Sequence, residues 1–268
     1  MTKLSYLEAI HQAMHQAMEK DDDVFVLGED VGKKGGVFGV TLGLQERFGI
    51  ERVIDTPLAE SNIVGTAIGA AMMGKRPVAE IQFAEYIFPS SPYDAKGLLL
   101  ASIESNDPVL YFEHKKAYRL LKEEVPEDYY TVPLYQADVK REGHDLTVFT
   151  YGLCVNYSIQ AADALADEGI DVEVVDLRTV YPLDKETIIE RAKHTGKILL
   201  ITEDNLEGSV MSEVAAIIAE NCLFDLDAPI MRLAGPDVPS MPFSPPLEDE
   251  FMINPDKIKN KMRELAEF

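Results

Sequence analysis

The stretch LTVFTYGLCVNYSIQAADALADEGIDVEVVDL, residues 146–177, decides the fold of the second half of the chain. Its two ends, LTVFTYG and VEVVDL, are short runs of apolar and β-branched residues, which predict buried strands. Residues 155–167 between them are predicted to form a helix. The alternation continues with a helix at 184–193, a strand at KILLITED, a helix at 209–221 and a strand at PIMRLAG. Four strands with three intervening helices predict a compact, open α/β domain.

The first half of the chain shows the same alternation. Apolar residues recur with the helical period between Leu4 and Lys20. Short β-rich runs follow at VFVLG, RVID, PVAEIQF and PVLYFE, and helical stretches occur at 62–73 and 93–104. Strands that alternate with helices favour a parallel sheet covered by helices, as in the second half.

A polar stretch, YQADVKREGHD at residues 135–145, interrupts this pattern and is interpreted as a linker. We therefore predict two open parallel-sheet α/β domains, 1–134 and 135–268, the second of which begins with the linker. The proline-rich segment VPSMPFSPPLEDEF is expected to wrap outward to a last helix at 255–266.

The composition excludes several classes of protein. Among 268 residues, 47 are Asp or Glu and 25 are Lys or Arg, so the net charge is -22. Such a surface repels phosphate backbones and disfavours nucleic-acid binding; it serves either solubility or the docking of a basic partner. No apolar run is long enough to span a membrane, and the first 23 residues alternate like a helix rather than a signal peptide. Two distant cysteines are typical of buried thiols in a reducing compartment, which predicts a cytoplasmic protein.

Several catalytic motifs are absent from the sequence. It has no GxGxxG after a strand, no GxxxxGK[ST] and no GxSxG, so a nucleotide-binding module and a hydrolase lack support. The five histidines have no metal-ligand spacing, and no metal site is predicted within this chain.

The segment DTPLAESNIVGTAIGAAMMGKRP, residues 55–77, places Glu60 directly before a helix that contains Gly65 and Gly69. Glycine costs about 1 kcal/mol relative to alanine inside a helix, so a reason for it is expected. One reason is close packing of this helix on a neighbour; another is the approach of a flat ligand. Glu60 alone is explained by the favourable interaction of an acid with a helix N-terminus, worth about 0.3–1 kcal/mol.

An ordered series of motifs changes this interpretation. LGEDVG, GGVF, ERVIDTPLAES, IGAAMMGKRPVAEIQFAEYIFP and SPYDAKGLLLASI are followed by DLRTVYPLD and AGPDVPSMP. This series resembles the β subunit of the thiamine-diphosphate-dependent decarboxylase component of 2-oxo acid dehydrogenase complexes, most closely the branched-chain type. The resemblance covers nearly the whole chain. It implies a transketolase-like pyrimidine-binding domain followed by a transketolase-like C-terminal domain.

The resemblance also implies site residues. The glutamate that matches Glu60 binds N1′ of the cofactor's aminopyrimidine and favours the imino tautomer, whose nitrogen removes the C2 proton of the thiazolium. Tyr86 is expected to stack on the pyrimidine, and Leu58 and Gln82 to line its pocket; a core aromatic is the alternative for Tyr86. Glu29 matches an acidic residue near the channel that joins two active sites, with helix capping or loop solvation as the alternative.

One departure from the family pattern concerns the cofactor's diphosphate. No GDG motif, which binds diphosphate and Mg²⁺, occurs in this chain. In the heterotetrameric family that motif belongs to the α subunit, so the resemblance implies an α2β2 enzyme with a shared site. The bare helix after Glu60 is then expected at a subunit interface. Asp227 and the C-terminal carboxylate of Phe268 match the positions that contact the basic subunit-binding domain of the lipoyl acyltransferase core; capping of the last strand is the alternative for Asp227.

A second departure lies at IFPSSPYDAKG, residues 87–97. Family members carry several dozen residues between IFP and PYDAKG, including a histidine that assists substrate chemistry. Either the segment is deleted, or the protein carries it and the 268 residues omit it. We favour the second interpretation, because loss of part of a domain core should destroy the fold.

The resulting hypothesis is oxidative decarboxylation of branched 2-oxo acids, with acyl transfer to lipoyl groups. Pyruvate and acetoin are alternative substrates within the same class of enzyme. A catalytically silent structural partner of such a complex is the alternative of a different class.

Overall fold

Strands and helices alternate along most of the chain in a computed structural model, which describes residues 1–81, 87–238 and 241–268. The strands are Thr2–Ser5 (β1), Val24–Gly28 (β2), Val53–Asp55 (β3), Arg76–Glu80 (β4), Lys122–Val125 (β5), Asp138–Arg141 (β6), Leu146–Thr150 (β7), Val172–Asp176 (β8), Ile198–Asn205 (β9) and Met231–Gly235 (β10). The helices are Tyr6–Lys20 (α1), Leu44–Phe48 (α2), Glu60–Met72 (α3), Pro92–Glu104 (α4), Ala117–Leu120 (α5), Leu153–Ala166 (α6), Lys185–Thr195 (α7), Val210–Cys222 (α8), Pro245–Phe251 (α9) and Pro255–Ala266 (α10). None of the described helices is long and apolar enough to cross a membrane.

The chain divides into two compact units, Met1–Leu134 and Tyr135–Phe268. In the first unit, β2 lies between β3 and β4 in a parallel sheet. Helix α1 packs against α4 and contributes to the core of this unit. The start of α1 is held by a capping box, in which Ser5 and Glu8 bind each other's backbone N–H groups.

The expected strand at PVLYFE is wrong for the described residues. Only one parallel bridge forms there, between Ile87 and Tyr111. A ladder needs a partner strand of matching length, but the chain after Ile87 reaches Pro89 and then enters α4 at Pro92. Because proline has no N–H group to donate, this short partner cannot extend the ladder. Ser91 caps the start of α4 by accepting a hydrogen bond of 3.1 Å from the Asp94 N–H.

The second unit is built on a five-stranded sheet in the order β10-β9-β7-β8-β6. Four strands are parallel, as expected, and β6 pairs antiparallel with β8 at one edge. The interpretation of residues 135–145 as a linker is therefore wrong in part, because Asp138–Arg141 forms this edge strand. An edge strand has one unpaired side that water can satisfy, so its sequence can be as polar as that of a linker.

The remaining helix predictions for the second unit are met, with ends that differ by up to two residues. Helix α10 coincides with the expected 255–266. Helix α10 packs against α6, and α7 packs against α8. Helix α9, inside the proline-rich segment, was not expected; Pro245 and Pro246 occupy its first turn, where the missing N–H groups cost nothing.

Candidate active site

The carboxyl ends of β2, β3 and β4 meet at one edge of the first unit's sheet, which we call the carboxyl edge. Gly28 at the end of β2 pairs with Asp55 of β3 on one side and with Glu80 of β4 on the other. Ligands of open α/β sheets bind outside the carboxyl ends of the strands. The carboxyl edge is therefore the place in this unit to look for a site.

Backbone contacts determine the path of the chain from this edge to α3. The Gly32 N–H donates a hydrogen bond of 2.7 Å to Asp55 Oδ1, and the Thr56 N–H donates one of 2.8 Å to the Gly28 carbonyl. Gly28 is required here, because a Cβ atom would lie 2.7 Å from the Glu80 carbonyl oxygen. The LGED and VIDTP segments are thus held side by side by close backbone contact.

Glu60 is the first residue of α3, and its side chain is exposed. Its carboxylate makes no hydrogen bond with any residue that the structure describes, and Ala59, at the N-cap, provides no side-chain cap. Leu58, two residues earlier, is 81% exposed. An exposed acceptor therefore lies next to an exposed apolar side chain, both just beyond the carboxyl edge.

The glycine face of α3 is open. A methyl group at Gly65 or Gly69 would meet no atom of the described residues within 4 Å, so close packing on a described part of this chain does not explain these glycines. Only Ile63 of this 13-residue helix is buried. Val64, Ile68, Met72 and Met73 are exposed. A large apolar helix face in contact with water is typical of an interaction surface.

A group of acids that sequence reasoning missed lies beside the carboxyl edge. Burial, together with Glu113 and Glu29, raises the pKa of Glu80 to about 7. Burial likewise raises the pKa of Glu113 to about 7, although a hydrogen bond from the Tyr118 hydroxyl opposes the shift. Glu29, at the end of β2, is only 7% exposed. Each of the two shifted carboxyls can therefore hold or release a proton near neutral pH.

The sequence carried a weak signal for these acids. Glu80 interrupts the apolar run PVAEIQF, and Glu113 ends PVLYFE, where charge is otherwise absent. Their proximity depends on contacts between distant segments, so the run alone could not reveal it. Gln82 and Tyr86, predicted to line the pyrimidine pocket, lie outside the described residues. Within the described ranges, no group of three or more His, Cys, Asp or Glu side chains is arranged to hold a metal ion.

Comparison with known proteins identifies the fold of each half. The family model described as "Transketolase, pyrimidine binding domain" matches residues 2–88, and "Transketolase, C-terminal domain" matches residues 135–258. The chain is 54% identical to "2-oxoisovalerate dehydrogenase subunit beta" of Bacillus subtilis (strain 168), with both chains covered in full. The chain belongs to the family of 2-oxo acid dehydrogenase β subunits.

A second relative is more distant. "Pyruvate dehydrogenase E1 component subunit beta" of Staphylococcus aureus (strain Mu50 / ATCC 700699) is 38% identical, again over the full length of both chains. Among solved structures, "Split gene transketolase, inactive beta4 tetramer" has a TM-score of 0.75 at 19% identity and covers 98% of this chain and 99% of its own. That likeness shows the transketolase-like fold, which confirms the predicted fold class.

The alignment with the Bacillus relative also bears on the IFPSSPYDAKG junction. It extends over 327 positions, whereas this chain has 268 residues, so about 59 positions (327 minus 268) have no counterpart here. A gap of this size agrees with the several dozen residues expected between IFP and PYDAKG.

β subunits of this family depend on thiamine diphosphate, and the described residues fit one part of it. An aminopyrimidine ring has a basic nitrogen at its edge and apolar faces. Exposed Glu60 provides an acceptor for that edge, and exposed Leu58 an apolar contact for a face. These two residues fit the pyrimidine part of the cofactor only, and this half of the site is open on the side of α3.

The two residues expected to bind the acyltransferase core lie in the second unit. Asp227 is exposed, and its N–H donates a hydrogen bond of 2.8 Å to the Gly196 carbonyl. Phe268 is 64% exposed, and Lys197 binds the carbonyl of nearby Ala266 at 3.0 Å. Asp227 therefore lies next to Gly196, just before β9, and the Lys197 side chain reaches the end of the helix that precedes Phe268.

Proposed function

We propose that this chain is the β subunit of a branched-chain 2-oxo acid dehydrogenase, and that it decarboxylates branched 2-oxo acids oxidatively and transfers the acyl group to lipoyl groups. The observation that carries the substrate class is the 54% identity over the full length of the 2-oxoisovalerate relative, against 38% for the pyruvate relative. The observation that carries the site is the exposed Glu60 carboxylate at the start of α3.

We propose that the enzyme is an α2β2 heterotetramer, active only when α is present. The open apolar face of α3 supports this proposal, because it lies next to Glu60 and no described part of this chain covers it. The lack of a GDG motif in this chain supports the proposal that the α subunit binds the diphosphate and Mg²⁺. The site is then assembled from both subunits.

In the proposed reaction each residue has a defined task. Thiamine diphosphate, when bound, supplies the nucleophilic carbon and the electron sink for loss of CO₂. Glu60 is proposed to bind the protonated edge of the pyrimidine, where its carboxylate balances the positive charge of the ring. Leu58, Gln82 and Tyr86 are proposed to orient the ring. Glu29 is proposed to lie near the channel that connects the two active sites of the tetramer.

A second candidate function is supported by the alignment gap. If the protein truly lacks the roughly 59 residues expected between IFP and PYDAKG, it also lacks the family's substrate-assisting histidine. It would then serve only to assemble the complex. The intact mass of the protein purified from its source decides between these candidates. A mass near 29.8 kDa indicates a true deletion, and a substantially larger mass indicates that the segment exists.

The test of the leading proposal uses the protein from its source combined with α subunit, thiamine diphosphate and Mg²⁺. Release of CO₂ from branched 2-oxo acids should exceed release from pyruvate and acetoin, and should require α. Equal or greater turnover of pyruvate would overturn the substrate assignment. Tight, Mg²⁺-dependent binding of the cofactor to β alone would overturn the shared site.

A further inference from the structure

Lys96, in the second turn of α4, is a charged side chain in the interior of the first unit. None of its surface is exposed. Lysine is almost never fully buried in proteins unless partners surround its ammonium group, because removing a charge from water is costly. The partners of Lys96 therefore define what this buried charge does.

Oxygen atoms of uncharged groups surround the ammonium group. Lys96 Nζ donates hydrogen bonds of 2.7 Å and 2.9 Å to the carbonyls of Pro126 and Asp128. It donates a third, of 2.8 Å, to Gln12 Oε1 on α1. These three acceptors use all three N–H bonds of the ammonium group. The Glu127 carbonyl lies 3.3 Å away as a fourth oxygen, and we call the four oxygen atoms the carbonyl cage.

The carbonyl cage has the form of a cation site. Its backbone oxygens come from three successive residues, 126–128, and point at one nitrogen atom. Rings of backbone carbonyls bind monovalent cations in this way, because the oxygens replace the hydration shell of the ion. The Glu127 carbonyl contributes least, since it also accepts a hydrogen bond of 2.6 Å from Gln16 Nε2.

The energetics show that the charge of Lys96 is needed for the cage and not for packing. Burial lowers the pKa of Lys96, while the carboxylates of Asp128 and Glu127 oppose this shift. An apolar side chain would fill the same space without this cost. It would, however, leave the buried oxygens of the cage without a donor, which is unfavourable for each of them.

The cage belongs to residues 126–134, the last part of the first unit, which we call the exit segment. Farther along, the Val132 N–H donates a hydrogen bond of 3.1 Å to the Gly97 carbonyl, and Tyr130 stacks on Tyr93 at 4.7 Å between ring centroids. Gly97 allows this close approach, because a Cβ atom there would lie 2.8 Å from the Tyr130 ring. The exit segment thus runs along the first turns of α4.

We propose that the carbonyl cage is a binding site for an ammonium ion, and that the side chain of Lys96 occupies it as an internal cation. In this position Lys96 fastens the exit segment to α4, which carries the lysine, and to α1, which carries Gln12. When the lysine side chain is shortened, the cage is left with its oxygens and with room for a free ion. It then binds ammonium from solution.

Hydrogen exchange of the exit segment in the full chain, followed by mass spectrometry, tests this proposal. Lys96→Ala leaves the cage open, and Lys96→Met fills it with an apolar side chain. In tetramethylammonium chloride, whose ion is too large for the cage, both variants should exchange at least about tenfold faster than the unaltered protein. In ammonium chloride of the same concentration, Lys96→Ala should return to within about threefold of the unaltered protein, and Lys96→Met should not.

Lys20→Ala is the matched control. Lys20 also contacts the exit region, with its Nζ 3.9 Å from the centroid of the Tyr129 ring, but it is exposed to water. Ammonium has no enclosed site to fill in this variant. Its exchange should therefore be the same in the two salts.

Three results would overturn the proposal. The first is exchange of Lys96→Ala at the rate of the unaltered protein in tetramethylammonium chloride. The second is an equal effect of the two salts on Lys96→Ala, which would mean that Lys96 acts by packing. If Lys96→Ala does not fold in tetramethylammonium chloride, its refolding yield decides: recovery in ammonium chloride supports the ammonium site, and failure in both salts is the third contrary result.

Discussion

Helices α3 and α6 follow the same β-α pattern in the two units, yet they are buried very differently. The 14-residue α6 buries eight residues, including Leu153 and Leu165, whereas the 13-residue α3 buries only Ile63. Helix α6 packs against α10 and the sheet of its own unit. The face of α3 consists of glycine, alanine and exposed apolar residues. Helix α6 is thus covered by elements of its own unit, whereas no described residue covers the open face of α3, next to the proposed catalytic residue.

The largest expected effect concerns Glu60. Glu60→Gln keeps the size of the side chain but removes the negative charge proposed to balance a protonated pyrimidine. In the enzyme reconstituted with α, decarboxylation of a branched 2-oxo acid should fall about 10²–10⁴-fold, with the assembly intact by sedimentation.

Glu186→Gln is the control, because Glu186 is also an exposed acid in the first turn of a helix, α7 of the other unit. It should leave turnover unchanged. Near-normal turnover of Glu60→Gln would mean that Glu60 merely interacts with the helix N-terminus, and the catalytic assignment would fail.

The next prediction compares the two helices directly. Leu165→Ala removes a fully buried side chain from α6 and should lower the free energy of unfolding by about 2–5 kcal/mol. Ile68→Ala on α3, where Ile68 is 56% exposed, should change it by no more than about 0.5 kcal/mol. Chemical denaturation of each variant without α provides the measurement. A large loss of stability for Ile68→Ala would show that α3 is already packed within the chain.

The acids beside the carboxyl edge predict a pH dependence. Because the pKa of Glu113 is raised from 4.5 to about 7 in the folded protein, the folded state binds more protons than the unfolded state between these values. The stability that this group contributes is greatest below about pH 4.5 and is lost as the pH rises to about 7. Glu80 acts in the same direction, with Glu29 as the other acid that raises its pKa.

Glu113→Gln should remove part of this dependence. Between pH 5 and 7 the unaltered protein should lose roughly 1–3 kcal/mol more stability than the variant, since each pKa unit corresponds to about 1.4 kcal/mol. Unfolding by urea at several pH values measures the difference. Glu51→Gln, on an exposed turn, is the control and should follow the unaltered protein. Parallel pH profiles for Glu113→Gln and the unaltered protein would contradict the prediction.

The smallest expected effect concerns the second unit. Asp227→Ala removes one exposed carboxylate that is expected to contact the basic subunit-binding domain, and it should weaken binding of that domain about 3–10-fold at low salt. The difference from the unaltered protein should shrink as salt increases, because exposed charges are screened. Calorimetry at two salt concentrations checks this. If both the affinity and its salt dependence are unchanged, Asp227 only caps the last strand and does not bind the basic domain.

The accuracy of the sequence predictions differed between elements for identifiable reasons. Helix α10 was predicted to the residue, because asparagine and proline mark its start and its apolar period is regular. The polar sequence of edge strand β6 predicts a linker, because pairing with β8 at the edge of the sheet requires no apolar pattern. The prediction of a strand at PVLYFE is wrong, because formation of that strand depends on a partner segment rather than on its own residues.

The sequence by itself determined the alternation of strands and helices, the family and the candidate Glu60, because each depends on residue types at short spacing or in fixed order. Tertiary structure alone decided that Glu80 approaches Glu113 and that the described residues leave α3 uncovered. Those features depend on how segments distant in sequence approach one another and on how much water they exclude. Burial sets the pKa of a carboxyl and the exposure of a helix face, and neither is encoded in a local pattern.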